Sequence, residues 1–289
     1  MGEGTKIEWA DHTFNPWWGC QRVSPGCEHC YAETFAKRVG LKVWGPSAKR
    51  RFFGDAHWAK PFKWNAAAER DGVRRRVFCA SMADVFEDGP HLTHERSVLW
   101  RLMKNTPHLD WLLLTKRPEN VERLVADAVA HAREFNPDET PAWSPNVWLG
   151  VTAENQEYAD RRIPTLLGIK GPAVRFVSYE PALGHVDFAR YLYPIFVVTP
   201  RWRRNELLTP ALDWIIVGGE SGPKARHFNP TWARDVVDGC RAAGVACFVK
   251  QLGANVLDFS GMLRDRKGGD WSEWPTDLRI RQFPERART

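Results

Sequence analysis

The sequence contains no long hydrophobic run. Its longest apolar stretches, at residues 111–114 and 195–198, are far shorter than the roughly 20 residues that cross a bilayer as a helix. The first residues also lack the apolar segment of a secretory leader, and Lys6 stands where a myristoylation signal needs serine or threonine. The sequence therefore predicts a cytoplasmic protein without a membrane partner.

Internal repeats, low-complexity tracts and an evident interdomain linker are also missing. The chain has 289 residues, of which 26% are charged and 43% are hydrophobic. This composition excludes a disordered or collagen-like chain and supplies enough apolar side chains for a packed core. Although the length also allows two domains, we expect a single domain over residues 1–289, in which residues 253–289 form a loop-rich cover.

Cysteine is scarce, and its six residues are unevenly placed. In a cytoplasmic chain, cysteines favour metal binding or packing over disulfides. Three are isolated in apolar surroundings, where buried inert thiols are expected: Cys79, Cys240 and Cys247. The other three lie close together, and their chemistry is taken up below.

Acidic residues are scarce in one segment. Residues 37–76, which we call the basic insertion, contain twelve lysines and arginines against three acidic residues, a balance of 12 − 3 = +9. The net charge is +6, so the remainder carries 6 − 9 = −3. The insertion also contains six aromatic residues: Trp44, Phe52, Phe53, Trp58, Phe62 and Trp64. Such interleaving suits a phosphate backbone and stacked bases. A solvated cap whose rings pack on the core is an equally good explanation.

Short apolar runs recur along the chain with room for one helix and two loops between them. They predict strands at residues 13–18, 77–80, 111–114, 147–151, 174–177, 214–217 and 245–249. Helical patterns fall between them, at residues 30–38, 92–104, 119–134, 158–167 and 231–243. This alternation is typical of a parallel sheet. The sequence therefore predicts an α/β fold, a partial parallel β/α barrel of about six to seven strands.

Polar residues follow almost every predicted strand. In chain order they are Ser81, Asp84, Lys116, Arg117, Thr152, Glu154, Asn155, Glu180, Glu220 and Lys250. In a parallel barrel, the carboxyl ends of the strands meet at one mouth, where functional residues gather. Helix capping explains the small polar side chains. It does not explain five charged residues, which we predict to be catalytic: Lys116, Arg117, Glu180, Glu220 and Lys250. An ion pair between Arg117 and Glu180 explains those two equally well.

The three clustered cysteines have the spacing Cys-x6-Cys-x2-Cys. Cys20, Cys27 and Cys30 lie in a turn-rich loop between a predicted strand and a predicted helix. Three thiolates this close can hold one metal centre. The missing fourth cysteine favours a [4Fe-4S] cluster with one iron open to a small molecule. The alternatives are three free thiols, or a zinc site whose fourth ligand is one of His29, His12, His57 and Cys79.

A three-cysteine loop after the first strand, with the sequence CEHCYA at residues 27–32, resembles the radical S-adenosylmethionine (SAM) superfamily, in particular its spore photoproduct lyase-like branch. A closer resemblance, from residue 6 to about residue 284, is to an uncharacterised family of phages and bacterial mobile elements. The motifs that carry it are KIEW (6–9), NPW (15–17), SPGC (24–27), SMADVF (81–86), LTKRP (114–118), GVT (150–152), SYEP (178–181) and GGES (218–221).

The chain departs from the superfamily pattern in three places. The superfamily spacing is Cys-x3-Cys-x2-Cys, so the first interval is longer here. His29 takes the place of an aromatic residue before the last cysteine. The Gly-Gly-Glu sequence at residues 218–220 comes much later than the superfamily's own, which follows the second strand. We therefore do not transfer the superfamily's role for that glutamate to Glu220.

The resemblance implies two cofactors, a [4Fe-4S] cluster and SAM. It implies that Cys20, Cys27 and Cys30 bind three irons and that the fourth iron binds SAM. One electron, from a donor such as a flavodoxin or ferredoxin, would cleave SAM and release a 5′-deoxyadenosyl radical that removes hydrogen from a substrate. By topology, the candidates for the SAM amino group are Ser81 and Asp84. Those for the ribose hydroxyls are Thr152, Glu154 and Asn155.

The basic insertion and the phage resemblance favour a nucleotide or a nucleic acid as the substrate. A peptide or a small anionic metabolite would also suit basic residues. Lys116, Arg117 and Lys250 would position an anion, whereas Glu180 and Glu220 would bind hydroxyls or amines. The competing hypothesis is a zinc-stabilised nucleic-acid-binding phage protein without catalysis, which predicts one zinc and no sulfide.

Overall fold

The computed structural model describes residues 4–135, 142–199, 204–257 and 263–285. The chain divides into two compact units. The first comprises Met1–Gly150 with Gly171–Ala173, and the second comprises Val151–Lys170 with Val174–Thr289. The prediction of a single domain stays a prediction.

The first unit contains three parallel strands and the start of a fourth. Its strands are β1 (His12–Phe14), β2 (Arg75–Cys79), β3 (Leu109–Thr115) and the first four residues of β4 (Val147–Thr152). Its helices are α1 (Tyr31–Arg38), α2 (Asp55–Trp58), α3 (Lys60–Asp71), α4 (Thr93–Lys104) and α5 (Val121–Phe135). His12 pairs with Val77, and Arg75 pairs with Leu109.

Apolar runs place the strands of the first unit in its core. In β3, the side chains of Trp111, Leu112 and Leu113 are all fully buried. A strand with both faces covered reads as a continuous hydrophobic run, which is why the sequence predicts it well. Helix α3 ends at Gly72, whose positive φ of 65° suits glycine because it has no Cβ.

The second unit holds the remaining strands. They are the end of β4, β5 (Val174–Tyr179), β6 (Ile195–Thr199), β7 (Arg204–Thr209), β8 (Trp214–Gly218) and β9 (Ala246–Gln251), with helices α6 (Gln156–Gly168) and α7 (Pro230–Ala243). Strand β8 pairs in parallel with both β5 and β9. Strands β6 and β7 form a separate antiparallel pair that the sequence did not predict.

The main sheet has seven strands in the order β1-β2-β3-β4-β5-β8-β9. Each strand lies beside the next one in the chain, apart from the β6–β7 pair, and this is the order of a partial parallel β/α barrel. The predicted fold class is therefore confirmed. Among the described residues, no helix is long and apolar enough to cross a membrane.

Two details differ from the sequence prediction, and a third agrees with it. Strand β1 ends at Phe14, whereas the prediction extended to residue 18. The basic insertion contains helices α2 and α3, which were not predicted. The described part of residues 253–289 has only two short 3₁₀ turns, Trp271–Glu273 and Thr276–Leu278, and its loop-rich character is as expected.

Candidate functional site

The cysteine loop of the first unit begins at a glycine that no other residue could replace without strain. Gly19 has a φ of 120°, and a Cβ there would overlap the carbonyl oxygen of Val43. Its amide donates to the Met82 carbonyl oxygen at 3.0 Å, just after β2. The next carbonyl oxygen, that of Cys20, accepts from the Gly45 amide at 2.9 Å. The start of the loop is thus held between strand β2 and the basic insertion.

The basic insertion is tied to the cysteine loop by backbone and side-chain bonds. Trp18 and Arg51 exchange two backbone hydrogen bonds of 2.9 Å. Buried Arg50 pairs with buried Glu87 and donates to three carbonyl oxygens of the insertion, including that of Val43 at 3.0 Å. Because neither charge reaches water, the pair must remain together.

The aromatic residues of the insertion mostly pack. Trp64 is buried and stacks on His12 with ring centroids 4.4 Å apart. Phe53 stacks on His57 at 4.2 Å, and His57 Nε2 lies 2.9 Å from the Asn15 carbonyl oxygen. Two rings remain exposed, those of Phe52 and Phe62. The packed rings fit the cap explanation, and the nucleic-acid explanation stays a prediction.

Arg117 follows β3 and reaches the first cysteine. Its Nη1 and Nη2 donate to the Cys20 Sγ at 3.8 and 3.9 Å. Nη2 also donates to the Gln21 carbonyl oxygen at 2.9 Å, and Nη1 donates to Asp84 Oδ2 at 2.7 Å. Arg117 and Asp84 are both buried. The structure therefore brings together three predicted site residues: Cys20, Asp84 and Arg117.

Asp84 lies at the centre of this network. Its Oδ1 accepts from the Thr115 hydroxyl at 2.8 Å and from the Phe86 amide at 3.0 Å. Its Oδ2 accepts from the Lys116 amide at 3.1 Å as well as from Arg117. Four protein donors thus already bind this carboxylate, so the geometry gives Asp84 a structural task. Its proposed contact with SAM stays a prediction.

The three cysteines of the loop are half-buried, and two of them lie near cations. Burial raises the pKa of the Cys20 thiol to about 12, with Asp84 adding to the rise and Arg117 opposing it. Burial also raises the pKa of the Cys30 thiol, and the charge of Lys116 opposes that rise. Consecutive residues, Lys116 and Arg117, therefore place positive charge beside two of the three cysteines.

This donor set can be tested against the two predicted metal centres. A mononuclear zinc site gathers its ligands around one point at about 2.0–2.3 Å from the metal. Within the described residues, no group of three or more histidine, cysteine, aspartate or glutamate side chains is arranged to hold one metal ion. In an iron–sulfur cluster, each thiolate binds a different iron, and nearby cations offset the cluster's negative charge. Three thiols with Lys116 and Arg117 nearby match the donor chemistry of such a cluster, and both metal centres stay predictions.

In the second unit, the ends of β5 and β9 bring Glu180 and Lys250 together. Lys250 Nζ lies 3.1 Å from Glu180 Oε1, and the two side chains are 23% and 12% exposed. This is an ion contact without hydrogen-bond alignment, because the buried Oε1 has no hydrogen-bond partner in the described part of the chain. Gly218, at the end of β8, leaves space for this carboxylate, since a Cβ there would lie 2.7 Å from Oε1.

Glu220 has a different environment from Glu180. The backbone amide of Arg226 donates to its Oε2 at 2.9 Å, and the Arg226 side chain donates to both carboxylate oxygens at 3.1 and 2.7 Å. These bonds close a turn between the two residues. The predicted catalytic role of Glu220 stays a prediction, and the geometry explains the residue without it.

The three residues predicted to bind ribose have structural partners in the second unit. Fully buried Glu154 pairs with Arg162 at 2.7 Å. Arg162 also donates to the Thr152 carbonyl oxygen at 2.8 Å. Asn155 caps α6 by accepting from the Tyr158 amide at 3.1 Å. Capping and a buried ion pair thus account for Asn155 and Glu154, and ribose binding by the three residues stays a prediction.

Residues 4–275 match the family described as "Protein of unknown function (DUF5131)". The match covers most of the chain. The chain belongs to the DUF5131 family. No curated protein matches this member of the family.

Among solved structures, this DUF5131 protein is similar to three point variants of spore photoproduct lyase. Their identities to the chain are 16%, 17% and 16%, with TM-scores of 0.41, 0.46 and 0.46. The aligned part covers 63%, 75% and 75% of this chain. The chain spans about half of those proteins, 48%, 58% and 58% of their lengths.

Asn15 is a site residue of the DUF5131 chain that sequence reasoning missed. It is buried just after β1, its Nδ2 donates to the Ser81 hydroxyl at 3.1 Å, and its Oδ1 accepts from the Met82 amide at 2.6 Å. Tyr31, the first residue of α1, donates its hydroxyl hydrogen to the Ser81 carbonyl oxygen at 2.8 Å. The available signal for Asn15 was its place in the NPW motif at residues 15–17.

Proposed function

We propose that this DUF5131 protein is a radical SAM-type iron–sulfur enzyme. The observation that carries the proposal is the half-buried three-cysteine loop after β1, with Lys116 and Arg117 of the β3 end beside it. Thiolates and nearby positive charge are what an iron–sulfur cluster needs from a protein. The parallel α/β sheet with a site after its first strand is consistent with this class.

Cys20, Cys27 and Cys30 would hold three irons of a [4Fe-4S] cluster. When bound, the cluster supplies one electron, received from a flavodoxin-like or ferredoxin-like donor, that cleaves SAM into methionine and a 5′-deoxyadenosyl radical. The chain's own task is to hold the thiolates and keep water away. The low exposure of the Cys20 thiol keeps water away from it. The hydrogen bonds of Gly19 and Cys20 to the flanking backbone hold the start of the loop in place.

Ser81 is the stronger of the two candidates for the SAM amino group. Its hydroxyl is held by Asn15, whereas four protein donors already bind Asp84. A serine hydroxyl can accept a hydrogen bond from an ammonium group.

In the second unit, Glu180 and Lys250 would bind polar groups of a substrate. The buried Glu180 Oε1 contacts Lys250 but accepts no aligned hydrogen bond in the described part of the chain, and such an acceptor calls for an explanation. A substrate hydroxyl or amine that donates to it would supply the missing hydrogen bond. Lys250, at 3.1 Å, adds positive charge for an anionic group.

The substrate class that we propose is a nucleotide or nucleic acid, in keeping with the resemblance to a phage and mobile-element family. The basic insertion supports this choice. Within the described residues, no carboxylate pairs with four of its exposed lysines: Lys42, Lys49, Lys60 and Lys63. Exposed Phe52 and Phe62 add surfaces on which bases can stack.

The test is the metal content of protein purified without oxygen. We expect about four irons and four acid-labile sulfides per chain in the wild type and their loss in Cys27→Ala. The matched control is Cys240→Ala, which removes a buried thiol from α7. With dithionite and SAM, the wild type should form 5′-deoxyadenosine. One zinc per chain without sulfide would contradict the proposal and favour a zinc-stabilised nucleic-acid-binding protein.

A further inference from the structure

The sequence suggested that Arg117 positions an anionic substrate, but its side chain is turned toward the cysteine loop. It is 4% exposed and carries four N–H groups on its two terminal nitrogens. Two of these donate to Asp84 and to the Gln21 carbonyl oxygen, and the other two converge on the Cys20 Sγ. The terminal nitrogens are therefore fully used within the first unit.

The two Arg117 N–H groups that contact the Cys20 Sγ, which we call the fork, have a fixed orientation. Asp84 holds Nη1 at 2.7 Å, and Asp84 is itself fixed by donors from Thr115, Lys116 and Phe86. A guanidinium is planar, so fixing one nitrogen and the plane fixes the others. The two N–H groups that face the sulfur are therefore preorganised before any ligand binds.

The other two cysteines have different environments. The Cys27 Sγ lies 3.9 Å from the Ser24 hydroxyl, which is a weak neutral contact. At Cys30, the positive charge of Lys116 opposes the rise in the thiol pKa that burial causes. Within the described part of the chain, the two-pronged guanidinium contact is found at Cys20 alone among the three cysteines.

We propose that Arg117 is a positioning residue that raises the reduction potential of a cluster held by Cys20. The inference rests on the proposed function. Hydrogen bonds and positive charge at a ligating sulfur stabilise the more negative, reduced cluster, so they raise its potential. In the proposed reaction this favours uptake of the single electron from the flavodoxin-like or ferredoxin-like donor.

The test is a redox titration of the loaded protein, followed by the electron paramagnetic resonance signal of the reduced cluster. Arg117→Lys keeps the charge but loses the fork, and Arg117→Gln loses both. At a fixed potential, we expect the reduced-to-oxidised ratio to fall about tenfold in Arg117→Lys, equivalent to about 59 mV for one electron, and further in Arg117→Gln. The control is Arg123→Gln, which removes an exposed charge from α5.

A second variant guards against misfolding. Arg117→Gln leaves Asp84 buried and unpaired, whereas Arg117→Gln combined with Asp84→Asn removes both charges of the pair. The double variant should fold, bind the cluster and show the lowered potential. Iron and sulfide are counted in every sample before titration.

The outcomes separate this inference from the proposed function. A wild-type protein without iron and sulfide overturns both. Intact clusters whose potential is the same in the wild type and in all Arg117 variants overturn the inference alone. Folded Arg117 variants that never acquire a cluster also overturn it, because they assign Arg117 to assembly and not to the potential.

Discussion

The two units use buried charge differently at their strand ends. In the first unit, both oxygens of Asp84 accept hydrogen bonds from protein donors. The terminal nitrogens of Arg117 donate to Asp84, to the Gln21 carbonyl oxygen and to the Cys20 Sγ. In the second unit, Glu180 lies beside Lys250 with one buried oxygen that accepts no aligned hydrogen bond in the described residues. Saturated groups hold a structure in place, whereas an unsatisfied one is available to a ligand.

The largest effect is expected from breaking the saturated network. Asp84→Ala leaves the buried Arg117 charge without its carboxylate, so we expect the free energy of unfolding to fall by about 3–5 kcal/mol. Urea unfolding of the cluster-free protein measures this. Asp88→Ala is the control, since its pair with Arg123 is 58% and 51% exposed and should contribute less than about 1 kcal/mol. If the two variants lost the same free energy of unfolding, the buried Asp84 pair would contribute no more to stability than the exposed Asp88 pair.

The second prediction tests whether the loss of stability on breaking an ion pair depends on how buried the pair is or on which of the two units contains it. Glu154 and Arg162 form a pair in the second unit that is 0% and 3% exposed. Glu154→Gln should therefore cost roughly 3 kcal/mol, close to the loss for Asp84→Ala, because it leaves a buried guanidinium unpaired. Glu157→Gln, at an exposed position of α6, provides the comparison. Indistinguishable urea midpoints for these two would mean that burial does not set the cost.

A third, smaller effect is expected at Glu180. Glu180→Gln keeps the shape and removes a carboxylate that lacks an aligned donor, and its partner Lys250 is 23% exposed and can reach water, so stability should change by less than about 1 kcal/mol. Thermal unfolding at one buffer composition measures it. A loss as large as that of Asp84→Ala would show that Glu180 is as firmly bonded as the first unit's carboxylate.

The smallest effect on stability is expected on the surface of the basic insertion. Lys60→Glu with Lys63→Glu should change the unfolding free energy by less than about 0.5 kcal/mol. The double variant should nevertheless bind a single-stranded oligonucleotide more weakly and with a shallower dependence on salt. Lys170→Glu with Lys224→Glu makes the same charge change at exposed positions of the second unit. If both double variants weakened oligonucleotide binding equally, binding would depend on the overall charge of the protein and not on the basic insertion.

The strands were predictable because a buried parallel strand is a continuous apolar run. The prediction at residues 111–114 falls inside β3, and that at residues 147–151 falls inside β4. The β6–β7 pair was missed although Ile195–Thr199 is an apolar run, because its partner strand Arg204–Thr209 begins with three polar residues and gives no strand signal. Helix α3 was missed because its basic and aromatic residues were read as a surface segment.

The site was predictable in its residues but not in its contacts. Position after a strand singled out Asp84 and Arg117, and spacing singled out Cys20. The bond between Arg117 and Cys20 joins positions 97 residues apart. A single sequence does not reveal which side chains face each other across that separation, since this depends on register and rotamers. Asn15 was missed for the same reason, because its partner Ser81 is 66 residues away.

The two backbone hydrogen bonds between Trp18 and Arg51 have a further consequence. All three cysteines lie in the chain between these two residues, so the bonds close a covering loop that contains every thiol of the array. Such a loop can open by local unfolding while the strands of the sheet stay paired. Assembly of the proposed metal centre inside the folded protein would be easiest when these two bonds open, and amide hydrogen exchange at Trp18 and Arg51 would report on how often they open.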